Sequence, residues 1–311
     1  MKAARIHAYG DASQIKIEDA PLPTLNADDV LIRVVATSVN PVDWKIRKGY
    51  LKAMIPYEMP LTMGWDVSGI VEQIGPAVTK FKPGDAVYSR PDIARNGAYA
   101  EYVAVREREI AFKPATISHV EAASLPLVSI TAWESLFTTA GLSAGQKVLI
   151  HAGAGGVGSI AIQLAKAKGA HVTTTASAGK SALVKSLGAD DVIDYHAQDF
   201  SNVVKDMDVV FDTVGGEVQE KSWTTLKPGG MLVSITDRPS EDRAKAEGKR
   251  AAFVFIGPNA PILTNLAQMV DAGQVRPLIG AEYGLNDTAK AQEASETGRA
   301  TGKIVIYVGS P

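Results

Sequence analysis

Between Lys147 and Ala170 a short apolar run, a glycine-rich hexapeptide and an apolar-periodic stretch follow one another without interruption. Val148 to Ile150 has the character of a buried strand. Ile160, Ala161, Leu164 and Ala165 fall on one face at helical spacing, and Gly169 stands where a C-terminal cap belongs. Between them, in Gly153-Ala154-Gly155-Gly156-Val157-Gly158, the chain must turn sharply from strand to helix. Gly153 permits the tight turn, Gly155 lets backbone approach a pyrophosphate, and Gly158 lets the helix pack close to the strand. The first helical turn, over Gly156, Val157 and Gly158, offers free N–H groups and a positive dipole end to phosphate. A strand-to-helix turn that binds nothing could carry the same glycines. The strand before and the helix after supply the context a dinucleotide motif requires, and they favour the cofactor reading.

The chain on either side differs in texture. Up to about Ser118, β candidates (Asp29 to Val39, Trp65 to Ile74, Ala86 to Ser89, Ala98 to Val105) alternate with Pro- and Gly-marked turns. This pattern predicts a small irregular barrel. One helix interrupts it, opened by Asn40-Pro41-Val42-Asp43 and closed at Gly49. After Ser118 two helix-like stretches, Ser118 to Ser124 and Thr131 to Ala140, lead into the glycine unit. Strands and helices then alternate as far as Ala251 to Ile256, which predicts a doubly wound parallel sheet. An amphipathic helix after Pro261 and strand-like stretches at Val275 to Ile279 and Lys303 to Val308 are assigned back to the first domain. The expected organisation is therefore α/β, with residues 1–121 plus 259–311 forming the barrel domain and residues 122–258 inserted as the nucleotide domain. Asp237 to Arg250 is charge-dense and reads as a solvated loop.

Composition excludes several function classes. The chain has no cysteine, which removes disulfides, a cysteine nucleophile and every thiolate metal site. A net charge of −2 exerts no general pull toward nucleic acid or an anionic membrane. No apolar run approaches membrane-spanning length, and Met1-Lys2-Ala3-Ala4-Arg5-Ile6-His7 lacks the apolar core of a signal peptide. The default expectation is a cytoplasmic enzyme that binds neither nucleic acid nor membrane.

In a dinucleotide fold the second strand ends in an acid about 20 residues past the glycines, and that acid binds the ribose 2′-hydroxyl. Here the tip reads Thr173-Thr174-Thr175-Ala176-Ser177-Ala178-Gly179-Lys180, with no acid. A carboxylate would repel a 2′-phosphate, whereas a hydroxyl and an ammonium would hold one. Ser177 and Lys180 thus point to NADPH over NADH. Ser177 also has a local reading as the cap of the following helix, and the two roles are compatible.

These pieces together resemble the medium-chain dehydrogenase/reductase superfamily over nearly the whole chain. The similarity lies in Ser38-Val39-Asn40-Pro41-Val42-Asp43, Gly64-Trp65-Asp66-Val67-Ser68-Gly69, Gly97 to Tyr102, Leu127 to Glu134, Gly153 to Gly158, Asp208 to Gly216 and Thr301 to Val305. More narrowly the chain looks like the zinc-independent quinone oxidoreductase and enone/alkenal reductase group. That resemblance implies a GroES-like first domain, an inserted Rossmann domain and bound NADPH. It further implies 2′-phosphate contacts at Lys180 and Tyr195, and a nicotinamide end lined by Thr131, Val214, Ser234, Ile235 and Thr236. It also implies a homodimer built by edge-strand pairing, for which Ala251 to Ile256 is the candidate edge.

Zinc-dependent members carry a catalytic cysteine and histidine where this chain has Asn40-Pro41 and Trp65, and they carry a four-cysteine lobe that is missing here. The histidines at 7, 119, 151, 171 and 196 are scattered singly, without metal-ligand spacing. No metal is therefore expected, and with no Lewis acid the hydride acceptor must already be activated by conjugation. The protein then has to position that acceptor, stabilise the developing oxyanion and deliver a proton. Asn40, Lys45, Tyr50 and Trp65 are the donors on the acceptor side. Lys45 is the candidate acid or oxyanion partner, with an equal claim as a solvated helix lysine. Asn40 is a candidate for the carbonyl oxygen or a cofactor ribose, with an equal claim as helix cap, and Asp43 reads as a first-turn dipole partner. The expected function is NADPH-dependent reduction of a small quinone or α,β-unsaturated carbonyl. An enoyl thioester reductase and a non-enzymatic NADPH-binding or redox-sensing protein are the alternatives.

Overall fold

Residues 1–309 are described by the structure, a computed structural model. The chain opens with an antiparallel pair, β1 (Lys2–Ile6) and β2 (Ile15–Asp19). Next comes β3 (Asp29–Val39), every residue of which is buried except Arg33. Period-2 geometry sends Val30, Ile32 and Val34 into one core with Val67, Val71, Val87, Val103 and Val105. Ile32 is fully enclosed, so truncating it to Ala costs about 2–5 kcal/mol. The strand leads into α1 (Pro41–Arg47), with Pro41 at its first position and Gly49 beyond it in the left-handed region at φ 80°.

β4 (Leu61–Thr62) pairs with β1, and β5 (Val67–Ile74), β6 (Ala86–Ser89), β7 (Tyr102–Arg106) and β8 (Ile110–Phe112) complete the first part of the unit. β3 pairs with β5 along one edge, while β7 takes the first half of its other edge. Two helices follow, α2 (His119–Ala123), opened by a Ser118–Glu121 capping box, and α3 (Pro126–Trp133), which continues as a π-helical turn over Glu134–Thr139.

The next segment alternates as expected: β9 (Lys147–Ile150), α4 (Gly156–Ala167), β10 (His171–Ala176), α5 (Ser181–Ser186), β11 (Asp191–Asp194) and α6 (Phe200–Val203). It continues with β12 (Met207–Asp212), α7 (Gly216–Ser222), β13 (Leu226–Ser234), α8 (Glu241–Ala246) and β14 (Arg250–Phe253). These strands form an all-parallel sheet in the order β11-β10-β9-β12-β13-β14, with the topological switch point between β9 and β12. The doubly wound architecture is the one the sequence predicts. The tail supplies α9 (Ala260–Asp271), β15 (Ile279–Gly284), α10 (Thr288–Glu296) and β16 (Lys303–Tyr307), and β16 takes the remaining half of β3's second edge.

Two units result. One comprises Met1–Leu127, Gly257–Gly273 and the chain from Pro277 on; the other comprises Val128–Ile256 and Gln274–Arg276. Local departures from the sequence reading have clear causes. The charged stretch after Asp237 contains α8, because Ser240 caps it and Arg243 pairs with Glu247 one turn on. The strand expected at Val275 to Ile279 starts only at Ile279, after Pro277, and runs through Gly280 and Gly284. Among the described residues no helix is long and apolar enough to cross a membrane.

Candidate active site

In the second unit the carboxyl ends of the parallel strands carry the residues expected to hold a dinucleotide. The loop between β9 and α4 is shaped by sterics. A Cβ on Gly153 would overlap the Thr174 hydroxyl, and one on Gly158 would overlap the Ala152 carbonyl and lie 2.8 Å from Gly153 Cα. Packing of helix on strand therefore demands both glycines. The left-handed residue of the turn is Ala152, at φ 51°, rather than Gly153. Gly155 is different, since the sole neighbour a Cβ would meet within 4 Å is the Ala152 carbonyl at 3.2 Å. Its face is left open by the chain's own packing, unlike those of Gly153 and Gly158. Gly155 is also the N-cap of α4, and no side chain caps that helix. The first-turn N–H groups of Gly156, Val157 and Gly158 thus lack a capping side chain, and the residues fit a pyrophosphate.

His151 braces the loop from beneath. It is buried, with Nε2 2.8 Å from Ser222 Oγ and Nδ1 3.2 Å from Thr175 Oγ1. Ser222 donates its own proton to the Val218 carbonyl, and Thr175 Oγ1 accepts from the Ala152 N–H. The ring therefore donates through Nε2 and accepts at Nδ1. Burial depresses its pKa to about 4, so it stays neutral.

At the end of β10 Ser177 occupies the N-cap position of a short 3₁₀ turn, Ala178–Lys180, yet its hydroxyl makes no capping bond. Lys180 closes that turn, its backbone N–H donating to the Ser177 carbonyl at 2.9 Å. Tyr195 follows β11, half exposed at 54% and tilted against His196. At the ends of β12 and β13 lie Val214, 48% exposed, Ser234, buried, and Ile235 and Thr236, partly buried. Thr131 is buried in α3.

Asp212 organises this end, a role that its position in an apolar strand gives no sequence signal for. Its Oδ1 accepts from the N–H groups of Val214 (3.0 Å) and Gly215 (2.8 Å). Its Oδ2 accepts from Gln219 Nε2 (3.0 Å) and Ser234 Oγ (2.8 Å). One buried carboxylate thereby ties the β12–α7 turn to the tip of β13.

In the first unit the acceptor-side donors separate into two groups. Asn40 is fully buried and both ends of its amide are engaged: Nδ2 donates to Asp66 Oδ2 (2.7 Å) and Oδ1 accepts from Lys303 Nζ (2.5 Å). Trp65 is also buried, its Nε1 donating to the Arg95 carbonyl at 3.1 Å. Lys45 and Tyr50 instead meet at one aromatic ring. Lys45 Nζ stands 5.7 Å from the Trp44 centroid, Lys48 Nζ 5.2 Å, and Tyr50, 68% exposed, approaches Trp44 edge-on at 6.4 Å. Lys48 is committed to Glu296, which also pairs with the buried Arg47, while Lys45 has no carboxylate partner among the described residues. Asp43 accepts from the Asn40 N–H (2.8 Å) and the Tyr99 hydroxyl (2.6 Å) through one oxygen, leaving the other without a partner. Burial pushes its carboxyl up to about 7 against those two bonds.

The donor set does not fit a metal. The chain has no cysteine, and among the described residues no group of three His, Asp or Glu side chains could hold an ion. His119 is bonded to Ser68 Oγ (2.7 Å), His7 to Glu18 (2.9 Å) and His171 to Asp191 (2.6 Å).

Comparison with known proteins follows the same lines. Residues 26–115 match the family described as "Alcohol dehydrogenase GroES-like domain", and residues 187–306 match "Zinc-binding dehydrogenase". The chain is 39% identical to the 2-methylene-furan-3-one reductase of Solanum lycopersicum, over 99% of this chain and 79% of that protein. It is 38% identical to the chloroplastic NADPH-dependent alkenal/one oxidoreductase of Arabidopsis thaliana, with the same coverage of 99% and 79%. Among solved structures, the quinone oxidoreductase from Coxiella burnetii superposes with a TM-score of 0.93 at 36% identity, covering 99% of each chain.

Proposed function

Because this chain belongs to the medium-chain dehydrogenase/reductase superfamily, in its zinc-independent quinone/enone oxidoreductase group, we propose that it reduces small quinones or α,β-unsaturated carbonyls with NADPH. It is an NAD(P)H-linked hydride-transfer oxidoreductase that acts on conjugated acceptors. Bound NADPH supplies the hydride. The chain's own residues do the rest. The N–H groups of Gly156, Val157 and Gly158, with the open face of Gly155, hold the pyrophosphate. Ser177, Lys180 and Tyr195 are the residues that would hold the 2′-phosphate. Val214, Ser234, Ile235, Thr236 and Thr131 frame the nicotinamide end, kept in register by Asp212.

Lys45 stabilises the oxygen on which charge develops as the acceptor is reduced, and Tyr50 beside the Trp44 ring orients a flat, apolar acceptor. Asn40, enclosed between Asp66 and Lys303, we place as a positioning residue rather than a group that meets the acceptor. We also propose a homodimer paired through β14, whose flank carries the exposed Phe255. The uncapped hydroxyl of Ser177 at the acid-free end of β10 carries the NADPH assignment. An NADPH-oxidation screen over quinones, 2-alkenals, 2-alkenones and an enoyl thioester, repeated with NADH, tests the proposal. Turnover of the first three classes with NADPH preferred is expected. Binding of NADPH with no turnover of any acceptor would contradict it.

A further inference from the structure

One buried carboxylate grips three separate pieces of the first unit. Asp66, in the turn ahead of β5, accepts at Oδ2 from Ser38 Oγ (2.6 Å) and Asn40 Nδ2 (2.7 Å). Its Oδ1 accepts from the Leu127 N–H (2.7 Å) in the first turn of α3. Lys303, the first residue of β16, is likewise buried and brings Nζ within 3.5 Å of Asp66 Oδ2. The same ammonium donates to the Val39 carbonyl (2.7 Å) and to Asn40 Oδ1 (2.5 Å). Burial drives both groups toward their neutral forms, raising the carboxyl pKa and lowering that of the ammonium, and each charge opposes the shift of the other.

Stability does not account for such a pair. Desolvation offsets most of the attraction, and apolar residues of similar volume are commonly as stable in its place. What the pair does geometrically is specific. It clamps Asn40 by both ends of its amide, at the residue where β3 passes into α1, and α1 carries Lys45 and Trp44. The backbone N–H of Asn40 is meanwhile tied to Asp43. The β3–α1 corner is therefore tied at both the backbone and the side chain of Asn40. We propose that Asp66 and Lys303 are positioning residues for turnover, fixing the corner that presents Lys45 without touching acceptor or cofactor. The inference rests on the role given to Lys45 above.

The test is the neutral pair Asp66→Asn with Lys303→Met, which leaves no charge buried alone, read against wild type and Lys45→Met in the full-length protein. The expected result is a melting temperature close to wild type, an unchanged NADPH Kd by fluorescence titration, and a kcat lower by roughly tenfold to a hundredfold. In the Lys45→Met background the same pair is expected to cost little further turnover, because both changes remove one function. Wild-type kcat in the folded neutral pair overturns the proposal, as does a loss that adds in full to that of Lys45→Met. Should the neutral pair not fold, Asp66→Glu keeps the charge and displaces the carboxylate by one methylene. The same fall in kcat is then expected, and wild-type kcat is the overturning result. If Lys45→Met alone turns over like wild type, the role of Lys45 fails, and a kcat loss in the neutral pair still distinguishes the two claims.

Discussion

Asp43→Asn probes a fully buried carboxyl of the first unit. Burial lifts the Asp43 pKa to about 7 in the folded chain, while an unfolded chain holds an aspartate near 3.9. Below pH ~4 the group is protonated in both states and contributes nothing to the difference. Between pH ~4 and pH ~7 the unfolded chain releases the proton and the folded chain keeps it, so the folded state binds more protons and stability falls as pH rises. Above pH ~7 both states are ionised and the loss levels off. Three units at about 1.4 kcal/mol each give a total on the order of 4 kcal/mol. Lys303 and the Tyr99 hydroxyl favour the carboxylate, Asp66 disfavours it, and none of these offsets the desolvation.

Asparagine keeps an acceptor for the Asn40 N–H and the Tyr99 hydroxyl and has nothing to ionise. Urea unfolding of both proteins at a series of pH values from 4 to 8 reads the difference, with Trp44 and Trp65 reporting the first unit. The variant is expected to gain on wild type steadily across pH 4 to 7 and then hold a constant lead. A difference that stays flat over the series, or one that favours wild type more as pH rises, would refute the reasoning. The latter would mean that Asp43 is a stabilised carboxylate.

Other perturbations test other parts. Lys45→Met is expected to lower kcat on an enone by on the order of 10²-fold with NADPH Kd unchanged, measured by steady-state kinetics and titration. Ser177→Asp sets a carboxylate where the 2′-phosphate is to lie, and should raise the KM for NADPH by roughly tenfold or more while sparing NADH; equal effects on both cofactors would count against the site. Gly158→Ala forces a Cβ onto the Ala152 carbonyl, so both melting temperature and NADPH affinity should fall, whereas Gly179→Ala meets nothing within 4 Å and should change neither.

How much of this was legible beforehand depends on sequence distance. The parallel strands announce themselves, because Val148 to Ile150 and Val209 to Phe211 are buried on both faces and read as short apolar runs. The glycine loop is legible because its constraints are local, although the left-handed turn at Ala152 is not, since alanine gives no hint of it. α10 escapes notice because its buried face consists of Thr288, Ala291 and Gln292, with no large apolar residue to mark a period. The clamp on Asn40 is hidden for a different reason. Its cation lies 263 residues away, and only the pairing of Ile304 with Val39 brings it alongside. Read locally, Asn40-Pro41 looks like a helix cap, and Asn40 does hold the N-cap position of α1, but the partners of its side-chain amide, Asp66 and Lys303, are far away in sequence. Asp212 escapes because a single acid ending an apolar strand has nothing in its own neighbourhood to show the two turns it joins.

The central claim is that hydride reaches a conjugated carbon with no Lewis acid on the carbonyl. It is tested most directly by reducing a 2-alkenone with NADPH deuterated at the transferable C4 position and locating the label. The account predicts the saturated ketone with deuterium on the β-carbon. Deuterium on the carbonyl carbon of an allylic alcohol would contradict it.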